Sequence, residues 1–167
     1  MPRHGFTLIE LMITIAIAAV LLTIAVPNMQ RFVIENRIST LTNELVTDLM
    51  VAKSEAVRRG VRVAICIRNS SGNACNSGGT WADGWIVFTD ANSDGIVTAG
   101  ETVLRVHSAL PTGIVLPTPP SIVTYRPSGA VNAGGTLTLC RTGYFGRNIT
   151  VSSTGRTSTA RTAAVCT

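Results

Sequence analysis

Gly5-Phe6-Thr7-Leu8-Ile9-Glu10 opens an apolar run that continues to Val26. Across the 21 residues from 6 to 26 the only ionisable side chain is Glu10, and the rest is almost all Leu, Ile, Val, Ala, Met or Phe, with three threonines. A helix of that length rises about 31 Å, close to the hydrocarbon thickness of a bilayer, so the run is long enough to cross a membrane. A carboxylate in such a helix costs about 2.5–3.5 kcal/mol at the centre and less toward an edge. The neighbouring sequence offers Glu10 no partner. The partner has to come from another molecule or from a newly made amino terminus.

A secretory signal peptide would use Arg3 as its basic region and Ala16-Ile17-Ala18 as its cleavage box, but Glu10 does not suit an uncharged core segment. A plain signal anchor would leave Glu10 unexplained. Neither accounts for a Gly-Phe junction directly before Thr-Leu-Ile-Glu-Leu. The stretch resembles the class III signal of type IV prepilins and pseudopilins: a short basic leader ending in Gly, then Phe-Thr-Leu-Ile-Glu-Leu and an apolar helix. Pro27 stands where that family often carries a helix-kinking proline. The resemblance implies that prepilin peptidase cuts after Gly5 on the cytoplasmic side and that the new terminus at Phe6 is methylated. It also implies that Glu10 pairs with the terminal ammonium of a neighbouring subunit during assembly. The chain would then be a single-pass inner-membrane protein with a periplasmic domain, later moved into a pilus or pseudopilus that can reach the cell surface.

The 167 residues suit an anchor plus one globular domain. Formal net charge is +5, one less if Arg3 leaves with the leader. After Glu101 there is no acid, yet six arginines follow: Arg105, Arg126, Arg141, Arg147, Arg156 and Arg161. That asymmetry points to a polyanion or an acidic protein surface, set against the commoner case of a merely solvated basic face. Four cysteines, Cys66, Cys75, Cys140 and Cys166, lie in the exported part, where an even count favours disulfides over metal. Of the three possible connectivities, Cys66–Cys75 closing a Gly/Asn/Ser-rich loop and Cys140–Cys166 pinning the carboxyl end are preferred. A zinc site is disfavoured, since no C-x-x-C pair occurs and His4 and His107 are badly placed for one.

The pattern divides the chain into a leader (1–5), a membrane and filament-core helix (6–27), an amphipathic helix (28–59) and a β-rich domain (60–167) with an arginine-containing tail. Ile34, Ile38, Leu41, Leu45, Leu49, Ala52 and Ala56 recur at helical spacing, while Glu35, Glu44, Asp48 and Lys53 keep other faces polar. Pro27 should kink this helix without stopping it, and Gly60 should end it behind Arg58 and Arg59. From residue 61 the period becomes two, giving a half-buried strand over 61–68. Further strands are expected over 85–89, 102–106, 122–126, 136–141 and 148–153, with prolines 111, 117, 119 and 120 breaking the middle section. From Thr154 the tail reads as loose except where Cys166 holds it. The expected fold class is α+β, a long helix packed on a small, mainly antiparallel sheet.

The β region extends the resemblance. Gly84-Trp85-Ile86-Val87-Phe88-Thr89-Asp90-Ala91-Asn92-Ser93-Asp94-Gly95, Gly100-Glu101 and Val103-Leu104-Arg105, with Ser54-Glu55-Ala56 more weakly, look like the GspH/FimT (FimU-like) branch of minor pilins and pseudopilins. Within it, Asp90, Asn92, Asp94, Gly95 and Glu101 fit the D-x-[DN]-x-[DN]-G-x5-E calcium spacing. Strands flank the loop where an EF-hand needs helices, so side chains capping their own backbone come first and calcium second. Ile149-Thr150-Val151-Ser152-Ser153-Thr154-Gly155-Arg156 resembles the carboxyl-terminal segment of FimT-type pilins, whose Gly-Arg-x-Arg motif binds DNA during uptake in natural transformation. Here Ser158 replaces the second arginine. Arg161 is its substitute on a flexible tail, with Arg141 and Arg147 adding phosphate contacts. Against this stands the reading that these arginines solvate strands or meet the next subunit.

No G-x-S-x-G, P-loop or paired histidine occurs, and His107 has no evident acid–base partner, so no enzyme and no cofactor is expected. The reading that results is a minor pilin that builds or initiates a type IV pilus together with other pilin subunits. The H-type pseudopilin of type II secretion is the alternative within the class. A DNA-binding receptor at a pilus tip and a calcium-binding exported module are the alternatives outside it.

Overall fold

The computed structural model describes residues 7–76, 78–116 and 120–166. The junction at Gly5 and Phe6 lies outside them. Helix α1 runs Leu8–Arg59, 52 residues without a break. Thr7 caps it, its hydroxyl accepting the Glu10 N–H at 3.3 Å, the role that a T-x-x-E spacing suits. Pro27 removes one backbone donor inside the helix, yet the helix continues through it. Gly60 closes the far end in the left-handed conformation (φ 67°), its N–H donating to the Ala56 carbonyl. Glu55 grips both Arg58 and Arg59 in the last turn, and those bonds hold its carboxyl down to about 2.

The second half of α1 lays Ile38, Leu41, Leu45, Leu49, Ala52 and Ala56 on the sheets as a buried stripe, with Ile34 partly buried at its start. The two alanines let the backbone approach closely. Strands β1 (Val63–Ile67), β2 (Trp85–Thr89), β3 (Val103–His107) and β4 (Ile122–Tyr125) form one antiparallel sheet in the order β3-β2-β1-β4. Strands β5 (Gly135–Leu139), β6 (Phe145–Val151) and β7 (Thr157–Val165) form a second, in chain order. Both sheets pack on the same helix: Val63, Ile65, Trp85 and Val87 from the first share a core with Leu137, Leu139 and Ile149 from the second. The α+β arrangement of a long helix on antiparallel strands is therefore present, built as two sheets where one was expected.

Two further expectations change. The first strand is buried on both faces, because Ala64 and Cys66 belong to a second cluster with Ile86 and Phe88, covered by Cys75, Val97 and Val103. The Cys66–Cys75 disulfide fastens that cover. The tail is also not loose. Residues 157–165 form β7, paired along β6 with Asn148 opposite Ala160 and Val151 opposite Thr157. Its side chains are mostly exposed, so burial periodicity had nothing to report there; backbone pairing and the Cys140–Cys166 disulfide hold it. Gly155 makes the turn into β7 at φ 70°, and a Cβ there would collide with the Gly129 carbonyl.

Candidate assembly surfaces and the arginine sheet

From Leu8 to Val33 every residue of α1 is exposed, and an 18-residue window of it has a mean hydropathy of 2.6. Large side chains such as Leu8, Ile15, Leu21 and Phe32 stand in the open. A continuous apolar surface of this size requires lipid or other helices against it. Glu10, in the first turn, has no ion-pair partner among the described residues.

The domain grips α1 through a polar lock whose members look unremarkable in the sequence. Asp48, read as a surface residue of the amphipathic helix, is only 6% exposed. Its Oδ2 accepts the indole N–H of buried Trp85 at 2.8 Å, and its Oδ1 accepts from Arg105 Nη1 at 2.8 Å. One turn earlier Glu44 meets His107 Nε2 at 3.0 Å, and the His107 ring stacks on Trp85 at 3.8 Å. His107 thus has a carboxylate partner after all, 63 residues away in the chain. An unpaired buried indole N–H is costly, so Asp48→Ala should destabilise the protein by about 2 kcal/mol, with Asp48→Asn recovering much of it. Urea unfolding of the full chain in detergent checks this, and equal midpoints for wild type and Asp48→Ala would refute the lock.

The 90–101 loop is tied to itself. Asp90 Oδ1 accepts the Gly95 N–H at 3.3 Å and Asp94 Oδ1 the Ile96 N–H at 2.8 Å. Glu101 accepts the Ala91 N–H on one oxygen and the Thr98 N–H on the other, each at 2.9 Å. Asn92 spans Asp94 and Thr98. Among the described residues no group of three or more His, Cys, Asp or Glu stands where it could hold a metal ion. Each of these carboxylates thus accepts a loop N–H, the backbone capping that Asp and Asn side chains give a turn of this kind. Burial pushes the Asp90 carboxyl above its usual range, opposed by the Gly95 and Ser93 N–H groups. A raised folded value means that charging Asp90 opposes folding, so its penalty fades as pH falls through that value. Millimolar calcium should leave the melting temperature unchanged; a rise of many degrees, lost in Asp94→Ala, would overturn this.

The four candidate DNA contacts do not converge. Arg147 and Arg161 are cross-strand neighbours on β6 and β7 and turn toward α1, where Arg147 donates to Ser39 at 3.2 Å and Arg161 pairs with Glu35 at 3.1 Å. Arg161 also lies over the Phe145 ring, 4.0 Å from its centroid. Arg141 sits beside Tyr144 in the β5–β6 turn. Arg156 is at the opposite end of the sheet, exposed, in a turn whose backbone is fixed by Ser152 and by Lys53 Nζ on the Gly155 carbonyl at 3.0 Å. Arg161 belongs to a strand and spends its charge on Glu35, so it does not stand in for the missing arginine at Ser158.

The sequence matches the family model described as type II transport protein GspH over residues 41–155 and the prokaryotic N-terminal methylation motif over residues 1–26. Its fold is similar to that of the type IV minor pilin FimU of Pseudomonas aeruginosa PAO1. In one crystal form of FimU the TM-score is 0.56 at 20% identity, covering 77% of this chain and 92% of that one. The minor pseudopilin EpsH from the type 2 secretion system of Vibrio cholerae gives 0.52 at 13% identity, over 74% and 96%. No curated protein sequence matches the chain significantly. At such identities the likeness to the solved structures is one of fold.

Proposed function

Because the chain belongs to the GspH family, we propose that it is a minor pilin, an assembly subunit of a type IV pilus. The observation that carries the proposal is the division of one continuous helix. Its first half is bare and apolar beneath a methylation motif, while its second half is locked to a β domain. Such a subunit waits in the inner membrane with the bare half in lipid and is cut after Gly5 by prepilin peptidase. It then transfers that half into a bundle of like helices. Transfer from lipid to helices gains little from hydrophobicity, since both surroundings are apolar, so close packing and polar pairing at Glu10 have to direct it. An H-type pseudopilin would use the same anatomy in a secretion machine. A deletion strain separates them: loss of surface pili with secreted enzymes unaffected is expected, and the reverse pattern would assign the chain to secretion.

A DNA-binding role rests on Arg156, of the four candidate contacts the exposed one with no side-chain partner among the described residues. With Arg161 neutralised by Glu35, few phosphates are contacted, so weak binding with a log–log salt slope of about −1 is expected. Arg156→Gln should abolish it, and Ser158→Arg should tighten it. Fluorescence anisotropy on duplex DNA across a salt series decides, and no binding at low salt leaves assembly as the whole function.

A further inference from the structure

We propose that, before assembly, the groove between the neck of α1 and the β5–β6 turn holds an anionic phospholipid of the periplasmic leaflet. This rests on the membrane-anchored reading above. The contacts of the second sheet descend the helix in order: Arg147 meets Ser39, Arg161 meets Glu35, and Arg141 with Tyr144 reaches the level of residues 29–34. The β5–β6 turn is therefore the part of that sheet nearest the anchor. About 20 residues cross the hydrocarbon, so a span starting at Leu8 ends near Pro27. Residues 29–34 then lie roughly 3–10 Å beyond it, largely within a headgroup layer about 5–8 Å deep.

At that level the helix and turn enclose a groove of about 400 Å³, lined by Met29, Gln30, Val33, Ile34, Arg141 and Tyr144. Met29 and Val33 are exposed and apolar, suited to the start of an acyl chain. Arg141 offers a planar fork for a phosphate, with the Tyr144 ring 5.7 Å away. Tyrosine and arginine are side chains that settle at the boundary between lipid and water. The local charge is one-sided. Arg31, Arg37 and Arg141 make no ion pair among the described residues, and Glu35, the carboxylate at this height, is taken by Arg161. A free phosphate or the charged backbone of a duplex would leave the apolar wall of Met29, Val33 and Ile34 without use.

The test uses the full-length chain in nanodiscs of phosphatidylcholine and phosphatidylglycerol, with native mass spectrometry counting retained lipid. Wild type should keep phosphatidylglycerol in preference. Arg141→Gln should reduce that preference about fivefold, the factor contributed by one basic side chain near an anionic surface. Arg141→Lys should keep most of it, and Arg58→Gln, about 40 Å further along the helix, should change nothing. Equal retention of the two lipids, or a preference indifferent to Arg141→Gln, would overturn the site while leaving the anchor intact. Displacement of the lipid by millimolar glycerol 3-phosphate or by duplex DNA would overturn the lipid assignment in favour of a general phosphate site. A chain that never enters the disc would remove both this proposal and the anchor reading.

Discussion

Glu10→Ala should leave the chain in the membrane and out of the filament. Residue 10 lies six positions from the centre of the 6–26 run, about 9 Å along the helix axis, so its carboxylate pays part of the midplane cost. Removing it makes insertion easier. The folded domain should be unaffected, because among the described residues the Glu10 side chain bonds to none of it, and its backbone N–H donates to the Thr7 hydroxyl at the start of the helix. Under the proposed assembly role, the change deletes the acceptor for a neighbour's ammonium, made when the chain is cut after Gly5. The helix amino terminus favours a negative charge in its first turn, where Glu10 stands. Glu10→Gln preserves shape and should fail in the same way, whereas Glu10→Asp should assemble weakly. Fractionation into membranes and sheared filaments, with mass spectrometry for methylated Phe6, reads every step. Alanine-variant filaments at wild-type abundance would remove the pairing role, and a conventional cut near Ala18 would remove the pilin reading itself.

How much of this was legible depended on whether a residue's function leaves a local trace. The apolar first half of α1, the Gly60 cap and the Ile38-to-Ala56 stripe are written in composition and period, and each stands in the structure where the sequence placed it. The 90–101 loop was also readable, since Asp and Asn at alternate positions before a glycine cap backbone N–H groups. Asp48 was not. Its burial comes from Trp85 and Arg105, 37 and 57 residues away, and nothing near position 48 announces them. His107 was misjudged for the same reason. Leu110, Ile114 and Leu116 join the core from a stretch that its prolines mark as broken, because irregular backbone carries burial without periodicity. The arginines failed differently: their number was visible, but their spread over both ends of one sheet is set by strand register.

Removing the Cys140–Cys166 disulfide should cost on the order of 3–4 kcal/mol, enough to lower the melting temperature by roughly 10 °C. The linked residues are 26 apart, and closing a loop of that length removes much of the freedom of the unfolded chain. The native side of the balance adds to this. Strand β7 exposes nearly all its side chains and pairs with a partner on one edge only, so backbone hydrogen bonds hold it with little apolar burial behind them. At its end Cys166 donates to the Tyr144 carbonyl and accepts from the Gly143 N–H, and the disulfide ties this corner to Cys140, itself bridged to Val115. Without the link, β7 should fray from that corner back toward Thr157. The Cys66–Cys75 pair differs, because Cys66 lies within the buried β1 and is held on both sides by β2 and β4. Its removal should lower stability without releasing a strand. Hydrogen exchange on the Cys140→Ser/Cys166→Ser chain distinguishes the two cases. Amides of 157–165 should lose protection before those of β6, and if they exchange together at the wild-type rate, β7 stands without its staple.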